Sequence, residues 1–296
     1  RICKGTGMKL YQVADKLGLR RSLYYEWKTR FGKPNKHNGH IPRENWLEEW
    51  EHDLIAEYYR SHPKDGYRRC CYDMMDIGKV CVSPSAFYRS LKKQDAIRSQ
   101  TRRKPTKAKG SGFDQPTRPH EHWHSDISMI TIGETVYFLI AVLDGFSRYI
   151  VSWDICTSMK TGDVQIVVQE AVEKVESSEY AYLIKDNKPR MISDNGKQYK
   201  CKEFRELLGQ HGMTQVTTSP YYPQSNGKME RCWLTLKDGS IRMMGDITLE
   251  KAKEVFGEYV THYNEERLHS ANKYITPKNM LEGRQQEIYD ARDAKL

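Results

Sequence analysis

The sequence predicts an α/β domain, a mixed five-stranded sheet flanked by helices, behind an all-α amino-terminal part that carries helix-turn-helix modules. Three observations predict it. From residue 121 three β-rich runs follow one another across turn signals and then give way to alternating helical and strand patterns, the order expected of an α/β sheet. Before that point apolar residues recur at helical spacing. Charge is also divided unevenly: of the 48 Lys and Arg and 39 Asp and Glu in 296 residues, the first 120 positions hold 26 and 13, net +13, and the rest hold 22 and 26, net −4. A basic half joined to a slightly acidic one points to nucleic acid as the partner of the first.

Leu10, Val13, Ala14 and Leu17 keep a helical spacing, Gly18 breaks it, and a second helix follows around Ser22, Leu23, Tyr24 and Trp27. In a helix-turn-helix the second helix enters the major groove, which would bring Arg20, Arg21, Ser22 and Tyr24 to phosphates or base edges. Paired short helices around a glycine also occur in proteins that never touch DNA. Residues 32–40 are polar and read as a linker. Trp46, Leu47, Trp50, Leu54, Ile55 and Tyr58 then form an apolar stripe, predicting an amphipathic helix over residues 44–60. Gly66-Tyr67-Arg68-Arg69 opens another helical pattern, and Ser83-Pro84 supplies an N-cap and a first-turn proline for Phe87, Tyr88 and Leu91, so a second helix-turn-helix is expected. Between residues 98 and 109 stand Arg98, Arg102, Arg103, Lys104, Lys107 and Lys109 with no acidic residue. This is a cationic connector suited to following a phosphate backbone.

In the second half, residues 123–130, 135–143 and 148–155 read as an antiparallel meander, split by Gly133 and by Asp144-Gly145. A helix over the Val164 to Val175 repeat, a strand at 191–193, a helix at 204–211, a strand at 214–217 and helices at 225–244 and 248–265 complete the pattern. The domains expected are a helix-turn-helix module at 1–35, an amphipathic helix with a second module at 36–100, the basic linker at 101–118, the catalytic domain at 119–282 and a tail at 283–296.

The longest apolar run, residues 136–143, is less than half of the roughly 20 residues a membrane span needs, and no secretory signal opens the chain, which starts at Arg1 without Met. Seven cysteines, odd in number and without a C-x-x-C pair, fit reduced thiols rather than a disulfide framework. The compartment expected is the cytoplasm.

Three carboxylates stand in chemically suggestive settings. Asp126 lies inside the first strand, in His122-Trp123-His124-Ser125-Asp126-Ile127. Asp194 stands just past the fourth strand, in Ser193-Asp194-Asn195-Gly196, and Glu230 falls inside the helix that follows, with 35 residues between them. Carboxylates drawn from strand, strand end and helix can hold two Mg²⁺ or Mn²⁺ ions about 3.5–4 Å apart, the separation that serves both oxygens of an in-line phosphoryl transfer. Spacing alone says little in a chain with 39 acidic residues. His122 and His124 beside Asp126 are expected to be exposed or satisfied rather than ligands, because no Cys or matching His pair lies nearby.

At these residues the sequence resembles the DDE transposases of the insertion sequence 3 type, relatives of retroviral integrases with an RNase H-like core. The resemblance runs over residues 54–277. It is carried by Gly66-Tyr67-Arg68-Arg69, Asp126-Ile127, Val142-Leu143-Asp144 with Ser147-Arg148 and Trp153, and Ser193-Asp194-Asn195-Gly196. Further on it rests on Ser219-Pro220, Tyr222-Pro223-Gln224-Ser225-Asn226-Gly227, Glu230-Arg231, Leu236-Lys237, and Tyr263-Asn264 with Arg267, His269 and Thr276-Pro277. Leu268 stands where the family usually has Pro.

The resemblance implies a metal-binding catalytic triad of Asp126, Asp194 and Glu230, two Mg²⁺ or Mn²⁺ ions, and contact of Lys237 with the transposon end. Glu230 and Lys237, seven apart, share a helix face about 10 Å apart along the axis. Gln224 and Asn226, before that helix, and Arg231 within it are expected near DNA, as are Arg68 and Arg69. The family implies a bacterial, nucleoid-associated enzyme that binds terminal inverted repeats on double-stranded DNA. It would cleave the 3′ strand and transfer it, usually through a circular intermediate formed by copying, as a dimer or larger synaptic complex. Two other readings remain at this point: a DNA-binding regulator with a relic core, and a structure-selective nuclease of the same fold.

Overall fold

The computed structural model describes residues 5, 7–33, 46–97, 115–217, 227–240 and 247–296. The chain divides into two compact units, Arg1–Glu49 and Trp50–Leu296. The first holds α1 (Leu10–Lys16) and α2 (Arg21–Arg30). Gly18, at φ +65°, makes the turn between them in a region that L side chains rarely enter. Ala14 is buried in this helix pair and Arg20 is the N-cap of α2.

Three helices follow: α3 (Glu49–Ser61), α4 (Tyr67–Asp76) and α5 (Pro84–Lys93). The cap expected at Ser83 is present, its side chain accepting from the Ala86 amide at 3.3 Å ahead of the first-turn proline. The stripe expected on α3 is corrected. The helix buries Ile55, Ala56 and Tyr59, while Trp46 and Trp50 are 47% and 57% exposed. At 3.6 residues per turn Trp50 stands on the opposite side of α3 from that buried face.

The sheet contains β1 (His122–Ile132), β2 (Thr135–Asp144), β3 (Ile150–Cys156), β4 (Arg190–Ser193) and β5 (Thr214–Thr217), in the order β3-β2-β1-β4-β5. β1, β2 and β3 form the expected antiparallel meander, and β4 and β5 add in parallel, so the sheet is mixed. α6 (Thr161–Glu176), α7 (Tyr182–Lys185), α8 (Lys197–Lys200) and α9 (Lys202–Gln210) connect its later strands. α10 (Gly227–Gly239) and α11 (Leu249–Glu265) follow β5.

Strand alternation fills two cores. One face of the sheet sends Trp123, Ile140 and Val142 against Val164, Val168 and Val172 of α6 and Phe204 of α9. The other sends Ile130, Leu139, Ala141 and Leu143 against Met229, Trp233 and Leu236 of α10 and Phe256 of α11. Past α11 come a 3₁₀ turn (Ser270–Asn272), α12 (Pro277–Leu281) and α13 (Gln285–Asp293). Residues 283–296, expected as a tail, thus hold a helix, and its Arg292 forms a two-pronged ion pair with Asp76 at the end of α4. Among the described residues no helix is long and apolar enough to cross a membrane, and the six described cysteines are all free.

Candidate active site

β1 alternates, so Trp123, Ser125 and Ile127 face α6 while Asp126 faces α10. β4 runs parallel beside it with Ser125 paired to Ser193. Asp126 and the next residue past β4, Asp194, therefore lie on adjacent strands, whose spacing is about 4.8 Å. This is the place in the sheet where the chain leaves β1 to one side and β4 to the other, where open α/β sheets commonly carry sites.

A cleft of about 480 Å³ opens there, lined by Asp126, Asp194 and Lys237 together with Ser128, Met129, Gln198 and Tyr199. Its floor is rigid. Tyr199 is buried, its hydroxyl 3.0 Å from Ser125 Oγ, and its backbone carbonyl accepts from Gln215 at 2.7 Å. Burial pushes the Tyr199 phenol up, so it stays protonated. Asp194 Oδ1 accepts from the Gly196 amide at 2.9 Å, closing a tight side-chain turn. A Cβ at Gly196 would stand 2.9 Å from that same Oδ1.

α10 closes the other side. Trp233 donates its indole N–H to Asp126 Oδ2 at 2.9 Å, and Lys237 Nζ donates to the Met129 carbonyl at 2.8 Å. Glu230 is exposed in the first turn of the same helix, three residues before Trp233, which puts the two on one face. Asp126, Asp194 and Lys237 are thus brought to one cleft, with Glu230 on the helix that bounds it and outside the cleft lining. Among the described residues no three His, Cys, Asp or Glu side chains stand together closely enough to hold a metal ion.

Beneath the amino terminus of α10 lies a buried polar cluster. Asp144 accepts from the amides of His120 and Ser147 and from Ser147 Oγ, at 2.9, 2.7 and 2.6 Å. Arg148, at φ +67°, and Lys228 both donate to the Gly145 carbonyl, at 2.8 and 3.0 Å. Burial pushes Lys228 down to about 8. His122 and His124, expected to be exposed or satisfied rather than ligands, are buried, and neither ring nitrogen of His124 has a hydrogen-bond partner. The close approach of Gly145 accounts for the packing: a Cβ there would come within 2.9 Å of His124 Nε2.

Arg20 and Ser22 are exposed and Tyr24 is half-buried at the start of α2, which also carries Arg21. Arg68 is exposed and its guanidinium lies over the Tyr67 ring, whereas Arg69 turns inward to Asp65 and the Leu268 carbonyl. Arg231 is exposed on α10 and lines a separate groove of about 1170 Å³. There Lys64, Arg69 and Arg267 are matched by Asp65, Asp73, Asp238 and Glu266. Arg102, Arg103, Lys104, Gln224 and Asn226 lie outside the described residues.

Sequence reasoning missed Trp233 and Tyr199. The available signal was the spacing of Trp233, one turn after Glu230 on the face that also carries Lys237. The Asp144-Ser147-Arg148 and Asn264 motifs turn out to be structural. Asn264 pairs both the amide and the carbonyl of Ile150 at the edge strand, at 2.9 and 3.1 Å, and Asn272 donates to Ser147 O at 2.6 Å.

Residues 116–223 match a family model described as the integrase core domain, and residues 211–277 match a second model of the same description, together more than half of the chain. The chain is 22% identical over 269 residues to the putative transposase InsK for insertion sequence element IS150 of Escherichia coli (strain K12), covering 87% of this chain and 88% of that protein. It is 26% identical over 243 residues to the transposase InsD for insertion element IS2D of the same organism, covering 79% and 77%. A chain of the simian T-cell lymphotropic virus intasome superposes with a TM-score of 0.49 at 18% identity, over 77% of this chain and 74% of that one.

Proposed function

Because this chain belongs to the integrase core family and is a DDE transposase of the insertion sequence 3 type, we propose that the cleft between β1, β4 and α10 is where it cleaves and rejoins transposon-end DNA. The observation that carries this reading is the meeting of Asp126 and Asp194, from neighbouring strands, with Lys237 from the helix of Glu230.

Asp126, Asp194 and Glu230 would hold the divalent ions. The cleft offers carboxylate oxygens and neither thiolate nor imidazole, a donor set suited to Mg²⁺ or Mn²⁺. Two such ions supply Lewis acidity to the attacking and leaving oxygens of an in-line phosphoryl transfer. Water and then a 3′-OH serve as nucleophiles, so no side chain needs to form a covalent intermediate. Lys237 places a cation at the cleft, about 10 Å along α10 from Glu230, where it would meet a phosphate one or two nucleotides from the reacting one. Asp194 is held in its turn by Gly196, and the buried Tyr199–Ser125 pair keeps the floor from yielding.

The α1–α2 pair supports the further reading that Arg20, Arg21, Ser22 and Tyr24 contact the terminal inverted repeats, with α4–α5 as a second module presenting Arg68. Double-stranded DNA would be both substrate and target, and joining two ends calls for a dimer or larger complex. The test is an end-cleavage assay with Mg²⁺ on DNA carrying the element's own termini. Asp126→Asn and Asp194→Asn should still shift the DNA in a gel while losing cleavage. Cleavage by either variant at the wild-type rate would sink the proposal.

A further inference from the structure

We propose that Trp233 is a positioning residue for the metal site, its indole N–H fixing the Asp126 carboxylate and thereby the register of α10 along β1. This rests on the assignment of Asp126 as a metal-binding carboxylate made above.

Trp233 is only 6% exposed, wedged among Met229, Leu236, Phe256 and Tyr263 in the core beneath α10. A buried indole N–H is donor only, does not titrate and needs an acceptor. Many acceptors would satisfy it; here the acceptor is Asp126 Oδ2, at 2.9 Å. The choice has a chemical consequence. A lysine or arginine at this position would orient the carboxylate but also cancel its charge, whereas a neutral donor orients it and leaves the charge available to a cation. The same bond acts on the helix. Glu230 is three residues before Trp233 and Lys237 four after, so all three share one face. Pinning Trp233 to Asp126 fixes the position of the turn of α10 that carries Glu230, one turn earlier. One turn later, Lys237 makes the second pin, on Met129 O at 2.8 Å. Groups that orient a metal-binding side chain in this way change metal affinity by about 10- to 100-fold when removed.

The experiment measures Mn²⁺ binding to the full chain by titration calorimetry, for the wild type, Trp233→Phe, Asp126→Asn and Trp153→Phe. Trp153 packs on Phe256 in the same core without touching the cleft. Trp233→Phe should weaken Mn²⁺ by about 10-fold or more with its circular dichroism spectrum preserved, Trp153→Phe should leave affinity unchanged, and Asp126→Asn should lose binding. If Asp126→Asn binds Mn²⁺ like the wild type, the metal-site assignment itself fails. If Asp126→Asn loses binding while Trp233→Phe keeps it, the role of Trp233 is overturned. Should Trp233→Phe not fold, the wild-type chain labelled with ¹⁵N gives the answer. The indole resonance displaced by Asp126→Asn should also move along the Mg²⁺ isotherm, and an indole resonance indifferent to Mg²⁺ overturns the proposal.

Discussion

His120, His122, His124 and His269 are all held below the ordinary histidine range, first of all by burial, with His269 pushed down to about 3. A depressed imidazole binds its proton in the unfolded chain and not in the folded one, so it removes stability as pH falls through about 6.5. The loss reaches about 1.4 kcal/mol per pH unit for each ring until its folded pKa is reached. Urea denaturation should therefore show stability falling steadily from pH 7 to pH 5, and a flat profile would contradict the burial. His124→Leu should shrink that slope, because its ring nitrogens make no hydrogen bond that leucine would forfeit. That the two histidines beside Asp126 are buried, with the His124 ring unpartnered rather than exposed or satisfied, has a definable reason. Their burial depends on Gly145 and Lys228 closing over β1, and the His124-Gly145 approach joins residues far apart in sequence. Asp126 and Asp194 were legible because each sits in a local setting, a strand interior and a Ser-Asp-Asn-Gly turn, that marks it without knowledge of the rest.

The helix α10 carries Glu230, Trp233 and Lys237 on one face and packs through its far end on α11. Gly239 makes that contact possible: an added Cβ would fall 1.9 Å from Tyr259 Cζ, and the Tyr259 hydroxyl donates to Thr235 O at 3.3 Å. Gly239→Ala should cost about 1–3 kcal/mol, the usual range for overpacking, read as a lower urea midpoint, whereas no change would show that Tyr259 moves aside freely. Elements with a local cause were readable. The Ser83-Pro84 start of α5 and the Val164 to Val175 stripe of α6 fall where capping and periodicity put them. The short helices α7 and α8, four residues each, carry no period long enough to detect, and their positions follow from buried Ile184 and Tyr199 meeting the α6 side of the sheet. The two tryptophans of the α3 stripe misled because helical spacing groups apolar side chains without saying which side of the helix the core takes, and here that side is the one of Ile55, Ala56 and Tyr59.

At the level of the molecule, the end of the chain returns to fasten α4. Arg292, 4% exposed, bonds Asp76 through Nε and Nη2 at 2.8 and 2.6 Å, donates to Tyr274 O at 2.8 Å and lies over the Tyr72 ring. Lys295 adds a bond to Met75 O at 2.7 Å. Nothing in the sequence pattern announced this clasp, which joins residues more than 200 positions apart. Breaking a buried pair on one side costs about 3–5 kcal/mol; with Asp76 a third exposed, Arg292→Ala should fall at the lower end. Arg292→Lys should recover little of the loss, since lysine lacks the planar fork. Full recovery by lysine in a thermal melt would contradict the account of the clasp.

On the proposed function, Glu230 joins Asp126 and Asp194 in one divalent-metal site that drives cleavage and joining of DNA. The most direct measurement is single-turnover strand transfer with Mg²⁺ by Glu230→Gln, on DNA to which its binding is measured in parallel. Glu230→Gln should keep its DNA affinity and transfer strands about a thousandfold more slowly, the several kcal/mol that metal-ion stabilisation of the transition state supplies. Strand transfer by Glu230→Gln at the wild-type rate would contradict it.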